Sequence, residues 1–434
     1  MPKQSQSVQE ALQAAHSRYA AANPKSHAQH ISATAFMPGG NTRTVLFSDP
    51  FPITLASAEG CHVQSADGAR YVDYLGEFTA GLFGHSHPHI KQAVLTALDT
   101  GWVRGGHIPQ ETELASAICQ RFPSIERVRF ANSGTEANLY AIQTARAVTG
   151  KSKVVVFEGG YHGGVFVFSG ARSPLTAPFD FIVAPYNDWD GTLALLDAEK
   201  TDIACVLIEA HQGSGGCIPA KPDFLKHLEA WAHEHDCIFI LDEVMTSRLA
   251  GGGLQGIHGL KPDMTTLGKY IGGGFSFGAF GGRADIMEKY NPLRPGYLGH
   301  AGTFNNNVFT MCAGATAYGK VFTPEVATEL SANGNRLRGR LNVIATKASF
   351  PMQFTGLGSM MNVHMCSGEI NSIRDLKHAN SALRDLFYFD LLEQGIWPAR
   401  RGMLNLSLPM GEKEFDQLAD AVAHFVEKRK SLQT

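Results

Sequence analysis

A chain of 434 residues, 44% of them hydrophobic, can bury a large core and is long enough for two or three domains. Its formal net charge of −3 gives no general attraction to nucleic acid or an anionic membrane, and no apolar run approaches the roughly 18–20 residues that span a bilayer. Seven cysteines, at positions 61, 119, 205, 217, 237, 312 and 366, are dispersed without metal-type pairs, which points to reduced core thiols in a cytoplasmic protein acting on small molecules.

The N-terminal stretch lacks the apolar core of a signal peptide, and Val8, Leu12, Ala15 and Tyr19 have the spacing of a docking helix. Residues 36–43 form a Pro/Gly turn that delivers Arg43 ahead of the short apolar segment 44–47; taken alone, a solvated arginine explains it. Alternating residues with turns at Glu59-Gly60 and Asp67-Gly68 predict a small antiparallel sheet. Residues 74–84 then carry Glu77, Phe78 and Phe83. The run His85-Ser86-His87-Pro88-His89 has no companion ligands at metal spacing, so it is read as a turn that starts a helix, and no metal site is expected.

Val128-Arg129-Phe130, followed by Asn132-Ser133-Gly134-Thr135-Glu136, reads as a strand, a tight turn and a helix start. Free backbone N–H groups and two hydroxyls there suit a phosphate, although the same residues would serve as a plain helix cap. A buried strand at 154–157 exits through glycines around Tyr161 and His162, where an aromatic ring can lie on a planar ligand. A further buried strand, 204–208, ends on Glu209. His233 and His235 are two residues apart on a helix and point in different directions.

The strand at 237–241 ends on Asp242-Glu243, and a second apolar stretch at 264–267 delivers Gly268-Lys269, 269 − 242 = 27 residues later. In an open parallel sheet ligands bind beyond the carboxyl ends of the strands, so this acid and this amine can meet one molecule. A lysine can form a Schiff base with pyridoxal phosphate, and a carboxylate keeps the pyridine nitrogen of that ring protonated. Between them, Gly251-x-Gly253-x-x-Gly256 matches a dinucleotide fingerprint by letters only; it follows no strand and opens no clear helix, and is read as a flexible loop. From Val308 a long helical stretch leads to a C-terminal portion with a strand near 361–364 and helices near 380–393.

The string DEVMTSRLAGGG…KPDMTTLGKYIGGG, residues 242–274, closely resembles the class III pyridoxal-phosphate aminotransferases, in the branch shared with glutamate-1-semialdehyde aminomutase. The resemblance runs from about Met37 onward and is nearest to the bacterial aromatic β-amino-acid aminotransferases. It implies the type I α/β fold: a mainly parallel sheet with helices on both faces, and a smaller α/β lobe. The expected division is an N-terminal segment 1–75, a cofactor-binding domain 76–310 and a C-terminal domain 311–434.

By the same resemblance Lys269 holds pyridoxal phosphate and shuttles the proton, Asp242 faces the ring nitrogen, Ser133, Gly134 and Thr135 bind the phosphate, and Tyr161 stacks on the ring. Thr303, in a GTF motif, reaches the phosphate of the neighbouring subunit's cofactor, which implies a homodimer. Arg43 takes the substrate carboxylate. Arg401 serves the second carboxylate of an acceptor such as 2-oxoglutarate, pyruvate being the other candidate, and swings towards Glu209 when an aryl group fills the pocket. Phe78 and Phe83 wall that group, or are core residues.

The chain departs from the family at Glu209-Ala210, where Glu-Pro is usual. It carries Arg400-Arg401 where the aminomutases have a glutamate-bearing segment, and the stretch between Gly164 and Pro178 is shorter than the aminomutase gate. The last two departures favour transfer between two molecules. The alternatives are the aminomutase reaction and a cofactor-free dehydrogenase or binding protein on the same scaffold.

Overall fold

The computed structural model describes residues 7–170 and 173–432; the first six residues, residues 171–172 of the stretch after Gly164, and the last two lie outside them. The seven-stranded central sheet is built from β1 (Arg127–Ala131), β2 (Lys153–Phe157), β3 (Asp180–Ala184), β4 (Ile203–Ile208), β5 (Ile238–Asp242), β6 (Met264–Gly268) and β7 (Gly278–Gly282). The spatial order is β1-β7-β6-β5-β4-β2-β3, and every pairing is parallel except the two made by β7.

Every residue of β4, β5 and β6 is buried, as their unbroken apolar runs require of strands covered on both faces. Alternation sorts the side chains. Val155, Phe157, Val206, Ile208, Phe239 and Leu241 pack on the helix Pro222–Glu234, while Val154, Val156, Cys205, Leu207, Ile238 and Ile240 pack on the helix Gly134–Thr149. The same period turns Asp242 and Thr266 and, one residue past β4, Glu209 towards the helix Gly134–Thr149.

The expected N-terminal antiparallel sheet is present as Leu55–Glu59, His62–Ser65 and Arg70–Asp73. Its fourth strand, Ile396–Trp397, comes from the other end of the chain and runs parallel to Arg70–Asp73. The docking helix is Val8–Ala22. It opens on a Ser7/Glu10 capping box and buries Ala11, Ala15 and Tyr19. The Tyr19 ring lies 5.3 Å from that of Phe389 on the helix Ser381–Glu393, and Arg18 pairs with Glu393 at 2.7 Å. The long helical stretch is Val308–Thr316, a π-turn at Ala317–Val321 and Pro324–Lys347. An antiparallel sheet of Gln353–Leu357, Met360–His364 and Met403–Asn405 follows.

Two local readings resolve differently. His87 does start the helix Pro88–Thr100. The glycine-rich segment is no flexible loop, however: residues Gly253–His258 form a short helix, and the buried Glu243 carboxylate accepts the backbone N–H groups of Leu254 and Gln255 and the Thr246 hydroxyl. A carboxylate on the first free amides of a helix holds it in place, and a side chain at Gly253 would press against that carboxylate.

Candidate active site

Register brings the chemistry together. Asp242 pairs with Thr266, so Lys269 leaves β6 just beyond it, and Ile208 pairs with Leu241, so Glu209 leaves β4 beside it. In β7, Gly278 pairs with both Gly268 and Ala131, which draws the Ser133-Gly134-Thr135 turn up to Lys269. Only glycine fits at 278, because a Cβ there would collide with the Ser133 carbonyl.

Asp242 is buried and fully engaged. Oδ1 accepts the Val244 backbone N–H at 2.9 Å, and Oδ2 accepts Asn138 Nδ2 at 2.8 Å and His162 Nδ1 at 2.7 Å. Thr266 donates to Asn138 Oδ1 at 2.8 Å, and Asn138 Nδ2 also reaches the His162 carbonyl. The carboxylate is therefore aimed by three side chains that sequence reasoning did not assign. Among them, His162 orients Asp242 directly.

Lys269 has a left-handed backbone, φ 52, and its Nζ donates to the Phe78 carbonyl at 2.6 Å. Burial, then the Arg401 charge, lowers its pKa to about 8, against the opposing pull of Asp242. Two guanidinium groups approach the Phe78 ring, Arg401 at 5.0 Å and Arg43 at 5.7 Å from its centroid. Arg401 donates to Ser214 Oγ at 2.9 Å, whereas Arg43 is ion-paired with Glu77. Arg400 bonds Ser48, Asp49 and Asp385, while lining the same cavity as Phe78 and Arg401.

Ser133 caps the helix Gly134–Thr149, its hydroxyl accepting from Glu136 N, so the capping explanation holds for that side chain. Among the described residues no acceptor lies within hydrogen-bond reach of the Gly134 and Thr135 amides. Thr135 Oγ1 takes the Gly164 N–H. Val244 packs against Gly134 and Gly268, where added Cβ atoms would come to 2.9 and 3.1 Å of its Cγ1. The Tyr161 ring is 39% exposed at the β2 exit, free to receive a ligand face.

Three expectations need restating. Glu209 is not an arginine partner among the described residues: its oxygens take the backbone N–H groups of Tyr161, at 2.9 Å, and Gly213, at 3.2 Å, and burial raises its pKa to about 7. Phe83 packs among His87, Tyr270 and Phe322 in the core, so only Phe78 stands with the Lys269 cluster. Thr303 is exposed, next to an equally exposed Phe304, and touches none of these groups within the chain. Spacing also hid a cluster away from Lys269, in which Cys61, His62 and Glu414 bring metal-capable atoms within 4.8 Å of one another.

The residues present fit pyridoxal phosphate. Unclaimed amides at the start of a sixteen-residue helix suit its phosphate, a buried carboxylate suits its ring nitrogen, and an amine of lowered pKa suits its aldehyde. Comparison with known proteins agrees. A family model described as aminotransferase class III matches residues 47–409. The beta-phenylalanine transaminase of Variovorax paradoxus is 49% identical over 96% of this chain and 96% of its own. A crystal structure of a beta-phenylalanine aminotransferase from the same organism superposes with a TM-score of 0.97 at 48% identity, over 98% of this chain and 99% of that one. A glutamate-1-semialdehyde 2,1-aminomutase of Methanothermobacter thermautotrophicus is 36% identical over 84% of this chain and 89% of its own.

Proposed function

The chain belongs to the class III aminotransferases, which work with pyridoxal phosphate, and from that premise we propose that it transfers the amino group of an aromatic β-amino acid to a keto acid. The observation that carries the substrate class is the Phe78 ring approached by Arg43 and Arg401, beside the carbonyl that receives Lys269 Nζ. It offers an apolar surface and two carboxylate forks within reach of one amine.

When bound, the cofactor supplies a ring that draws electrons from the substrate carbon bearing the amine. Asp242, held by His162, Asn138 and the Val244 amide, keeps a negative charge at the ring nitrogen's place. Lys269 Nζ would hold the cofactor and, once freed by the incoming amine, would carry the proton from the substrate carbon to the cofactor within the same half-reaction, the reverse transfer serving the keto acid; a pKa of about 8 leaves a useful fraction of neutral amine near neutral pH. Gly134 and Thr135 amides receive the phosphate, and Tyr161 covers the ring.

Arg43 stands off from Lys269 on the N-terminal turn and suits a carboxylate one carbon farther from the amine than in an α-amino acid. Arg401, with no carboxylate partner among the described residues, suits the second carboxylate of 2-oxoglutarate. Transfer between molecules, as against internal migration, is supported by the stretch after Gly164, where buried Phe166 and Phe168 and the Ala177-to-Val165 backbone bond pin the described part of the segment down. The same reading divides the chain at residues 75/76 and 310/311, places it in the cytoplasm, and makes it a homodimer in which Thr303 reaches the partner's phosphate. The exposed Phe304, next to Thr303 in the chain, supports the last point.

A substrate panel tests it. 3-Amino-3-phenylpropanoate should outperform α-amino acids and simple amines; if they react far faster, the β-amino-acid assignment fails. Arg43→Ala should weaken that donor by roughly 1.5–3 kcal/mol per lost hydrogen bond, while Arg401→Ala should mainly raise KM for 2-oxoglutarate. Conversion of glutamate-1-semialdehyde without any keto acid would favour the aminomutase instead.

A further inference from the structure

Glu77, Phe78 and Thr79 are consecutive non-glycine residues with φ of 45, 50 and 82. Such a run of left-handed residues persists only where the surroundings over-determine it. Here each residue is tied to a cation. Arg43 pairs with the Glu77 carboxylate, Lys269 Nζ donates to the Phe78 carbonyl at 2.6 Å, and Arg248 Nη1 donates to the Thr79 carbonyl at 3.1 Å. Arg248 is itself fully buried and also holds Ser359 Oγ and the Leu406 carbonyl. The backbone that follows Glu77 is thus fixed at two successive carbonyls, and the Glu77 carboxylate is presented to Arg43 from that base.

That carboxylate resembles a substrate carboxylate in charge and geometry, and it occupies the group that the proposed function assigns to the substrate. Arg401, also close to the Phe78 ring, has no carboxylate hydrogen-bonded to it among the described residues: its hydrogen-bond partner is the Ser214 hydroxyl. The two arginines therefore differ in what an arriving anion must displace.

We propose that Glu77 is an internal competitor for the substrate carboxylate, holding Arg43 in the free enzyme and giving it up when the β-amino acid binds. The proposal rests on the reading of Arg43 as the carboxylate anchor. It makes Glu77 a specificity residue. A ligand without a carboxylate leaves the Arg43–Glu77 pair intact, a ligand with one must break it, and selectivity is set by the difference. Both partners are about half exposed, so the pair restrains binding modestly, by about two- to five-fold.

The test compares Glu77→Gln and Glu77→Ala with the wild-type holoenzyme. Calorimetry with 3-phenylpropanoate, which carries the carboxylate but no amine, measures binding without turnover. The ratio of kcat/KM for 3-amino-3-phenylpropanoate to that for 1-phenylethylamine, which has no carboxylate, measures selectivity. Both variants should bind 3-phenylpropanoate about two- to five-fold more tightly and raise the ratio by a similar factor. A purely structural role would move both substrates together and leave the ratio alone. Unchanged or weaker binding in both variants, with Arg43→Ala still crippling the β-amino acid, overturns the competitor and leaves the anchor standing. If Arg43→Ala spares the β-amino acid, the anchor itself is wrong and the competitor falls with it.

Discussion

Replacing Asp242 by asparagine changes almost no volume and removes one charge. Three donors converge on the native carboxylate: the Val244 N–H on Oδ1, and Asn138 Nδ2 and His162 Nδ1 on Oδ2. An amide has one acceptor oxygen. If that oxygen keeps Val244, its NH2 group faces the Asn138 NH2 and the imidazole N–H, and the imidazole must change tautomer to accept. One buried donor then remains unpaired, a cost of about 1–3 kcal/mol, which urea unfolding of the apoprotein should register. The catalytic loss is separate. An opposite charge at close range raises the pKa of a protonated base by about 1–3 units, so removing it should cut the protonated fraction of the ring nitrogen, and the rate of proton removal from the substrate, by roughly 10- to 1,000-fold. Single-turnover absorbance of the cofactor after mixing with 3-amino-3-phenylpropanoate measures this. A variant within three-fold of the wild-type rate would refute the placing of Asp242 at the ring nitrogen, whatever its stability.

Lys269→Met should abolish transfer, and borohydride should fix the cofactor in the wild type but not in the variant, as mass mapping to residue 269 will show. Because the Lys269 pKa is lowered, to about 8 from 10.5, the buried charged amine weakens the apoprotein below pH 8, and the penalty fades as pH rises towards 10.5. Lys269→Met should therefore stabilise the apoprotein at pH 7 and lose that advantage by pH 10.5, while the rate of cofactor capture by the wild type should rise through pH 8. Glu209, raised to about 7 from 4.5, contributes stability that is present below pH 4.5 and lost as pH climbs through 7; the difference in unfolding free energy between wild type and Glu209→Gln should show that slope. Arg248→Lys keeps the charge but cannot serve Ser359, Thr79 and Leu406 together, and should cost about 2–4 kcal/mol in denaturant unfolding. If Thr303 reaches a partner's site as proposed, Thr303→Ala should weaken cofactor retention without altering the oligomeric mass measured in solution.

The acid and the amine were legible because each stands just past an apolar strand, where chain direction alone puts a residue at the ligand edge of a parallel sheet. What could not be read was adjacency. Asp242 and Lys269 meet because β5 and β6 are neighbours in register, and His162 and Asn138 join them from β2 and from the helix after β1; their spacing along the chain carries no trace of that. The bonds Glu209 makes were out of sight for a different reason. Its partners are main-chain amides, which nearly every residue has, so the sequence holds no mark of them. Phe83 shows the limit of reading apolar residues near a site, since an aromatic in such a stretch is as ready to fill the core as to line a pocket. The helix at Gly253–His258 was hidden by its glycines, because the carboxylate that secures it belongs to Glu243, ten residues earlier.

The parallel pairing of Ile396–Trp397 with Arg70–Asp73 has a consequence during synthesis. Ile396 pairs with Val72, 396 − 72 = 324 residues apart, so at roughly 5–20 residues per second the ribosome needs about 16–65 s to deliver the closing strand after its partner has been made. Until then one edge of the N-terminal sheet has open main-chain donors and acceptors, and the apolar side of the helix Val8–Ala22 has no helix Ser381–Glu393 to rest on. The nascent chain is thus most exposed to self-association at its beginning. Yield at high expression should respond to chaperones that hold the first hundred residues, more than to any change made near Lys269.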